Sequence, residues 1–168
     1  EKVEAVQADR IDRLSGPRLS DLVLDPQDVM DGLVFGDGTV HAASNDLVYL
    51  CVGQDDGDYH RSEVTPFIGR HRPGIHDTAW EVTTTIAASD IPLTFNRVIP
   101  DRFIHGSPAK AAAFLRGLYT ANGSIVADRI TLKASSFKVI EQTQLMLSSL
   151  GIASYYTTNR PSRVTFSN

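Results

Sequence analysis

Apolar residues recur at helical spacing in three stretches of the chain, and between them they alternate or cluster at strand spacing. Asp25-Pro26 gives a strong helix start: a capping carboxylate, Pro at the first helical position and Asp28 in the first turn, followed by an apolar run that stops at Gly38. Strand-like runs over residues 39–43 and 47–52, joined by Ser44-Asn45-Asp46, have hairpin chemistry. Ser107-Pro108 repeats the helix start, predicting a helix to Ala121, and residues 124–127 and 129–133 repeat the hairpin. Residues 137–150 place their apolar positions mostly on one helical face, with Gly151 as the stop. A further hairpin is predicted from 152–156 and 163–166 around Asn159-Arg160-Pro161-Ser162.

The remaining stretches carry weaker signals. The first twenty-five residues are polar and acidic and form a lead-in. Residues 53–77 are rich in turn formers, with room for a short helix over 62–69; a Thr- and Val-rich strand is predicted over 78–86, and at most a short helix over 87–106. Helix, two strands, helix, two strands is thus an internal repeat, giving an α+β fold of two pseudo-twofold halves in one domain over 1–168: lead-in 1–25, first repeat 26–106, second repeat 107–168.

Each motif helix ends in the same device. Met30-Asp31-Gly32-Leu33-Val34-Phe35-Gly36-Asp37-Gly38 and Leu115-Arg116-Gly117-Leu118-Tyr119-Thr120-Ala121-Asn122-Gly123 stand in one frame, but Asp37 in the first becomes Asn122 in the second. Gly32 and Gly36 lie four apart, as do Ala113, Gly117 and Ala121, so each helix has a small-residue stripe that permits close backbone approach. A symmetric pair of such helices would set Asp37 beside Asn122.

Composition narrows the function classes. The 168 residues have the apolar and charged fractions of an ordinary globular domain, and no run reaches the ~18 apolar residues of a membrane span. Without signal-peptide layout the expected compartment is the cytosol. The net charge of −4 divides into −9 over residues 1–58 and +5 over 59–168, so the second part can offer a basic surface to phosphates while the first supplies acids. Lone Cys51, between Leu50 and Val52, reads as a buried strand position. His71 and His76 lack metal-ligand spacing, and Asp55-Asp56-Gly57-Asp58 is a turn, not a calcium loop. Trp80 reads as sheet packing, and no phosphate-binding loop, dinucleotide fingerprint or nucleophile elbow is present.

The paired nonapeptides resemble the LAGLIDADG homing endonucleases, particularly those embedded in inteins, matching at the third, fourth and ninth positions in both copies and at the penultimate Asp in the first. Arg97-Val98-Ile99-Pro100 looks like the family's Lys-x-Ile-Pro block, with Arg in place of Lys. Residues 145–152 look like its Leu-Leu-x-x-Leu-Gly-Ile block. The blocks cover roughly residues 26–166, and the tail is similar to inteins of ribonucleotide reductases. The resemblance implies a duplicated αββαββ(α) fold with the motif helices at a central interface and two antiparallel-sheet saddles over the DNA major groove. It also implies a monomer with internal pseudo-symmetry that cuts double-stranded DNA and derives from a larger intein precursor. Residue 1 is neither Cys nor Ser and no terminal His-Asn pair is present, so the chain is expected to be an excised domain or a fragment.

Hydrolysing a phosphodiester requires an activated water and neutralisation of charge growing on phosphorus, both met by metals held on carboxylates. A helix C-terminus exposes carbonyls with negative partial charge, so Asp37 with the Gly36 carbonyl, and Asn122 with that of Ala121, would hold Mg2+. Asp37, Asn122 and Arg97 are the catalytic candidates. Asn122 removes one charge, and Arg97 is effectively never deprotonated, unlike Lys. Nicking of one strand, slow double-strand cleavage and DNA binding without cutting are all open. The cations expected on DNA are Arg61, Arg70 and Arg72 in the first half and Arg129, Lys133, Lys138, Arg160 and Arg163 in the second.

Overall fold

Asp25 opens the first helix as its sequence dictates: its Oδ1 accepts from the amide of Gln27 at 2.9 Å, ahead of α1, Pro26–Asp37. In the computed structural model, which describes residues 19–40, 48–51, 65–71 and 79–157, α1 leads into an antiparallel sheet. Its strands are β1 (Thr39–Val40), β2 (Val48–Cys51), β3 (Ile68–His71) and β4 (Ala79–Val82), in the order β1-β2-β4-β3. Thr39 stands opposite Tyr49, Leu50 opposite Trp80 and Ile68 opposite Val82.

The strand period decides which residues of β2 reach the core. Val48 and Leu50 are buried, while Tyr49 is half-buried and Cys51 is exposed. Cys51 was expected inside; alternation puts it on the face of Tyr49 instead. A helix over 62–69 does not form in the described part: a single 3-10 turn, Thr65–Phe67, runs into β3, because pairing with β4 outweighs local helix preference. Trp80 packs half-buried within the sheet.

The connection to the second half holds 3-10 turns at Ala88–Asp90 and Thr94–Asn96 and a one-turn helix, α2 (Asp101–Ile104). Ser107 then caps α3 (Pro108–Asn122) by accepting from the Lys110 amide at 3.2 Å. A hairpin follows, β5 (Gly123–Val126) with β6 (Arg129–Leu132), and then α4 (Phe137–Ser149), capped by Ser136. Gly151, at φ +77°, ends that segment in the left-handed region, and the Ile152 amide returns to the Leu147 carbonyl.

The strand expected over 152–156 is absent. The Ser154 carbonyl accepts from Gln144 Nε2 at 3.1 Å, and Tyr155 receives Arg129 Nη1 at 2.6 Å on its hydroxyl, so this segment is tied to α4 and the hairpin by side chains. Its expected partner over 163–166 lies outside the described residues, as do His76 and residues 55–58.

The core sits between the helix pair and the four-stranded sheet. Val34 and Phe35 of α1, Val48 and Leu50 of β2, and Phe114 and Leu118 of α3 are buried together, with Phe103 stacked on Phe114 at a centroid distance of 4.2 Å. Mixed helix and antiparallel sheet is therefore the architecture. No helix among the described residues is long and apolar enough to cross a membrane.

Candidate functional site

The small-residue stripes meet. A Cβ on Gly32 would lie 2.0 Å from the Phe114 carbonyl oxygen, and one on Gly117 would lie 1.9 Å from that of Val29, so only glycine permits this α1–α3 spacing. Toward the C-terminal end, a Cβ on Gly36 would lie 2.4 Å from that of Ala121 and 2.9 Å from Nδ2 of Asn122. The two helix ends, each carrying the negative end of a helix dipole, are thereby brought side by side. Asp37 is exposed at one end and Asn122 half-buried at the other.

Both helices terminate alike. The Gly38 amide donates to the Val34 carbonyl at 2.7 Å, and the Gly123 amide donates to that of Tyr119. A Cβ would come within 2.3 Å of the Val34 oxygen at Gly38, and within 2.2 Å of the Tyr119 oxygen at Gly123. The last glycine of each nonapeptide thus turns the chain from helix directly into the first strand of its hairpin.

Arg97 enters this site from the connection between the halves. Its Nη1 donates to the carbonyls of Phe35 at 2.6 Å and Gly36 at 2.8 Å, and Nη2 reaches that of Gly38 at 3.4 Å. These are helix-end oxygens that intrahelical amides leave unsatisfied. Burial lowers the Arg97 pKa from its ordinary value, and the negative charge of Asp37 opposes that shift. The segment is held from behind: Ser136 Oγ donates to the Arg97 carbonyl at 2.7 Å, and the Ile99 amide donates to Gln142 Oε1 at 2.8 Å. Ile99 is fully buried. Arg97-Val98-Ile99-Pro100 is therefore an anchored arm that delivers a guanidinium to the end of α1.

A pocket of about 110 Å³ opens beside these ends, lined among others by Gly36, Arg97, Asn122, Lys133, Thr94 and Ser135. Lys133 follows β6, and its amide donates to the Asn122 carbonyl at 3.3 Å, which fixes the hairpin against the end of α3. Thr94 and Ser135 escaped the sequence reading. Ser135 could have been found, since it adjoins a serine with capping position ahead of an apolar helical run.

The other acids of α1 serve packing. Asp31 is fully buried and accepts from Gln27 Nε2 at 3.1 Å, Thr84 Oγ1 at 2.7 Å, the Thr85 amide at 2.9 Å and the Thr85 hydroxyl. It ties α1 to the chain leaving β4. Asp28 pairs with Lys110 Nζ at 2.5 Å, linking the starts of α1 and α3.

Of the expected DNA-facing cations, Lys133 alone among those described lines the pocket. Arg129 is exposed near the hairpin turn beside Tyr155, and Lys138 is exposed on α4, 3.5 Å from Glu141. Arg70 lies on β3, where only its backbone is described; Arg61, Arg72, Arg160 and Arg163 lie outside the described residues.

The helix ends offer oxygen donors in the Asp37 carboxylate and the carbonyls of Gly36 and Ala121, and the Asn122 side-chain amide, whose Nδ2 is the atom nearest Gly36, adds its oxygen once the amide is turned over. That chemistry fits a hard divalent cation, although the Gly36 oxygen already accepts from Arg97. Among the described residues no three His, Cys, Asp or Glu side chains gather as a metal cluster.

Comparison with known proteins bears on the second half. Residues 109–167 match the family of LAGLIDADG-like domains. No curated protein matches the chain. Among solved structures it is similar to I-DmoI in complex with DNA and Mn, with 15% identity, 75% of this chain and 77% of that chain covered, and a TM-score of 0.48. It is also similar to a variant of I-DmoI with its target DNA nicked in the coding strand, with 16% identity, 75% and 76% covered, and a TM-score of 0.44.

Proposed function

We propose that this protein is a LAGLIDADG-type endonuclease that binds double-stranded DNA and hydrolyses it at the paired helix ends, with attenuated cutting centred on Asp37. The observation that carries this reading is the glycine-mediated crossing of α1 and α3, which brings Gly36 against Ala121 and Asn122 and sets one carboxylate and one amide at adjoining helix ends. The LAGLIDADG-like match over 109–167 covers the second of these ends. DNA complexes of I-DmoI are in keeping with a duplex as partner.

When bound, a divalent ion, for which Mg2+ is our choice, supplies Lewis acidity and a more acidic water. Asp37, the Ala121 carbonyl and the Asn122 amide oxygen would hold it, with Gly36 as a further donor. Asp37 accepts hydrogen bonds from the attacking water and orients it toward phosphorus. Lys133 faces the same pocket and holds the phosphate by charge. Asn122 orients but cannot accept a proton, so the strand that meets this end is cut more slowly. We further propose that the chain works as a monomer, derives from an intein of the ribonucleotide reductase type, and acts in the cytoplasm.

Binding without cutting is the second reading, favoured by the guanidinium already seated on Gly36. Incubation with Mg2+ and a supercoiled plasmid carrying the uninterrupted host-gene junction separates them. Nicked product ahead of linear product, abolished by Asp37→Asn, is expected. Duplex binding with no product supports the second reading, and no binding to the junction overturns both.

A further inference from the structure

We propose that Arg97 is the resident cation at the end of α1 and competes with a divalent ion for the Gly36 carbonyl and the field of Asp37. The inference rests on the nuclease reading of the helix ends and adds a control on how that centre acquires metal.

Three carbonyls at the end of α1, those of Phe35 and Gly36 in its last turn and of Gly38 just beyond it, converge on one guanidinium at 2.6, 2.8 and 3.4 Å. An ion coordinated ~2.1 Å from the Gly36 oxygen would stand within about 5 Å of Nη1, since that nitrogen is itself 2.8 Å from the oxygen. Two cations at that separation repel, and a half-buried setting screens them less than open solvent does. Asp37 is charge-coupled to the same guanidinium, so part of its field is already neutralised.

Arg97 cannot drift away without cost. Its carbonyl is held by Ser136, and Ile99, two residues on, is buried and clasped by Gln142 through both its amide and its carbonyl. The guanidinium therefore swings only from a fixed root. A lysine at this position would bring one ammonium, a compact charge unsuited to spanning three oxygens, whereas the planar fork of arginine does so. The α3 end is built differently: the Asn122 carbonyl receives the backbone amide of Lys133, an uncharged donor. The two helix ends thus differ twice, in the Asp–Asn exchange and in a guanidinium that serves only the first.

Mn2+ alone, titrated into the metal-free protein and followed by the EPR signal of the free ion, tests the competition. Arg97→Gln keeps side-chain amide donors for the carbonyls while removing the charge; Arg97→Met removes both, and circular dichroism establishes that each is folded. Folded Arg97→Gln should bind Mn2+ at least tenfold more tightly than the natural chain, and adding Asp37→Asn should erase the gain. Equal or weaker binding by folded Arg97→Gln overturns the proposal, as does a gain that survives Asp37→Asn or an absence of Mn2+ binding in both proteins. Fluorescence anisotropy with junction duplex in metal-free buffer tests the nuclease reading separately, because loss of duplex binding would sink that reading whatever the Mn2+ titrations show.

Discussion

Gly117 lies against Gly32 so closely that a Cβ on Gly117 would come within 3.0 Å of the Gly32 carbonyl carbon and 2.6 Å of the Leu33 amide nitrogen. Each of these is backbone, which cannot rotate aside as a side chain can. Gly117→Ala must therefore separate α1 from α3, and with them Asp37 from Asn122. Overpacking in a core costs about 1–3 kcal/mol, and a backbone clash should sit at or above the top of that range. Urea unfolding should show a loss of at least about 3 kcal/mol. A loss below about 1 kcal/mol would mean that the helices do not cross at these glycines.

Much of this arrangement was legible in the sequence because its causes are local or periodic. Asp25-Pro26 and Ser107-Pro108 announce capped helices, and both caps form. The four-residue spacing of Gly32, Gly36, Gly117 and Ala121 announces a close crossing, and that crossing forms. Arg97 was legible as a catalytic candidate, but the seat of its guanidinium on carbonyls of α1 more than fifty positions away was not. No spacing rule reports such a contact, because the connection's path, not its composition, decides it. Asp31 was hidden for the same reason: its partners Thr84 and Thr85 are brought by the exit of β4. Cys51 misled because an apolar run marks a strand without saying which face its last residue takes.

Asp31→Asn tests whether a buried carboxyl group held by hydrogen bonds can be a packing element. The carboxylate accepts from four donors, and an amide would turn one acceptor into a donor facing another donor. Leaving donors unsatisfied around the fully buried Asp31 position should cost about 2–4 kcal/mol. Thermal and urea denaturation measure it, and Thr84→Val in the Asp31→Asn background should cost less than in the natural chain because the shared partner is already compromised.

Tyr119 sets an alkaline limit on stability. Burial raises its pKa from the ordinary value near 10, so above that pH the unfolded chain releases a proton that the folded chain retains. The unfolded state then binds fewer protons, and unfolding free energy falls as pH rises from about 10 toward the folded-state pKa. Tyr119→Phe removes this contribution. Urea midpoints measured between about pH 9 and 11 should decline less steeply for Tyr119→Phe than for the natural chain, and identical slopes would show that the phenol is not desolvated in the fold.

Asn122→Asp restores a second carboxylate at the helix ends and separates charge from geometry as the cause of weak cutting. The new charge stands at the negative end of the α3 dipole and near Asp37, so without metal it should destabilise the fold by about 0.3–1 kcal/mol. A divalent ion between the ends relieves both repulsions, and that relief appears as affinity. Mn2+ binding should strengthen about tenfold, and thermal stability, lower than that of the natural chain in chelator, should recover on adding metal. With plasmid substrate, linear product should gain on nicked product, because the end that could only orient water can now also accept its proton. Metal affinity that stays unchanged while Asn122→Asp lowers stability would show that the ends adjoin without sharing an ion, leaving Asp37 to act alone.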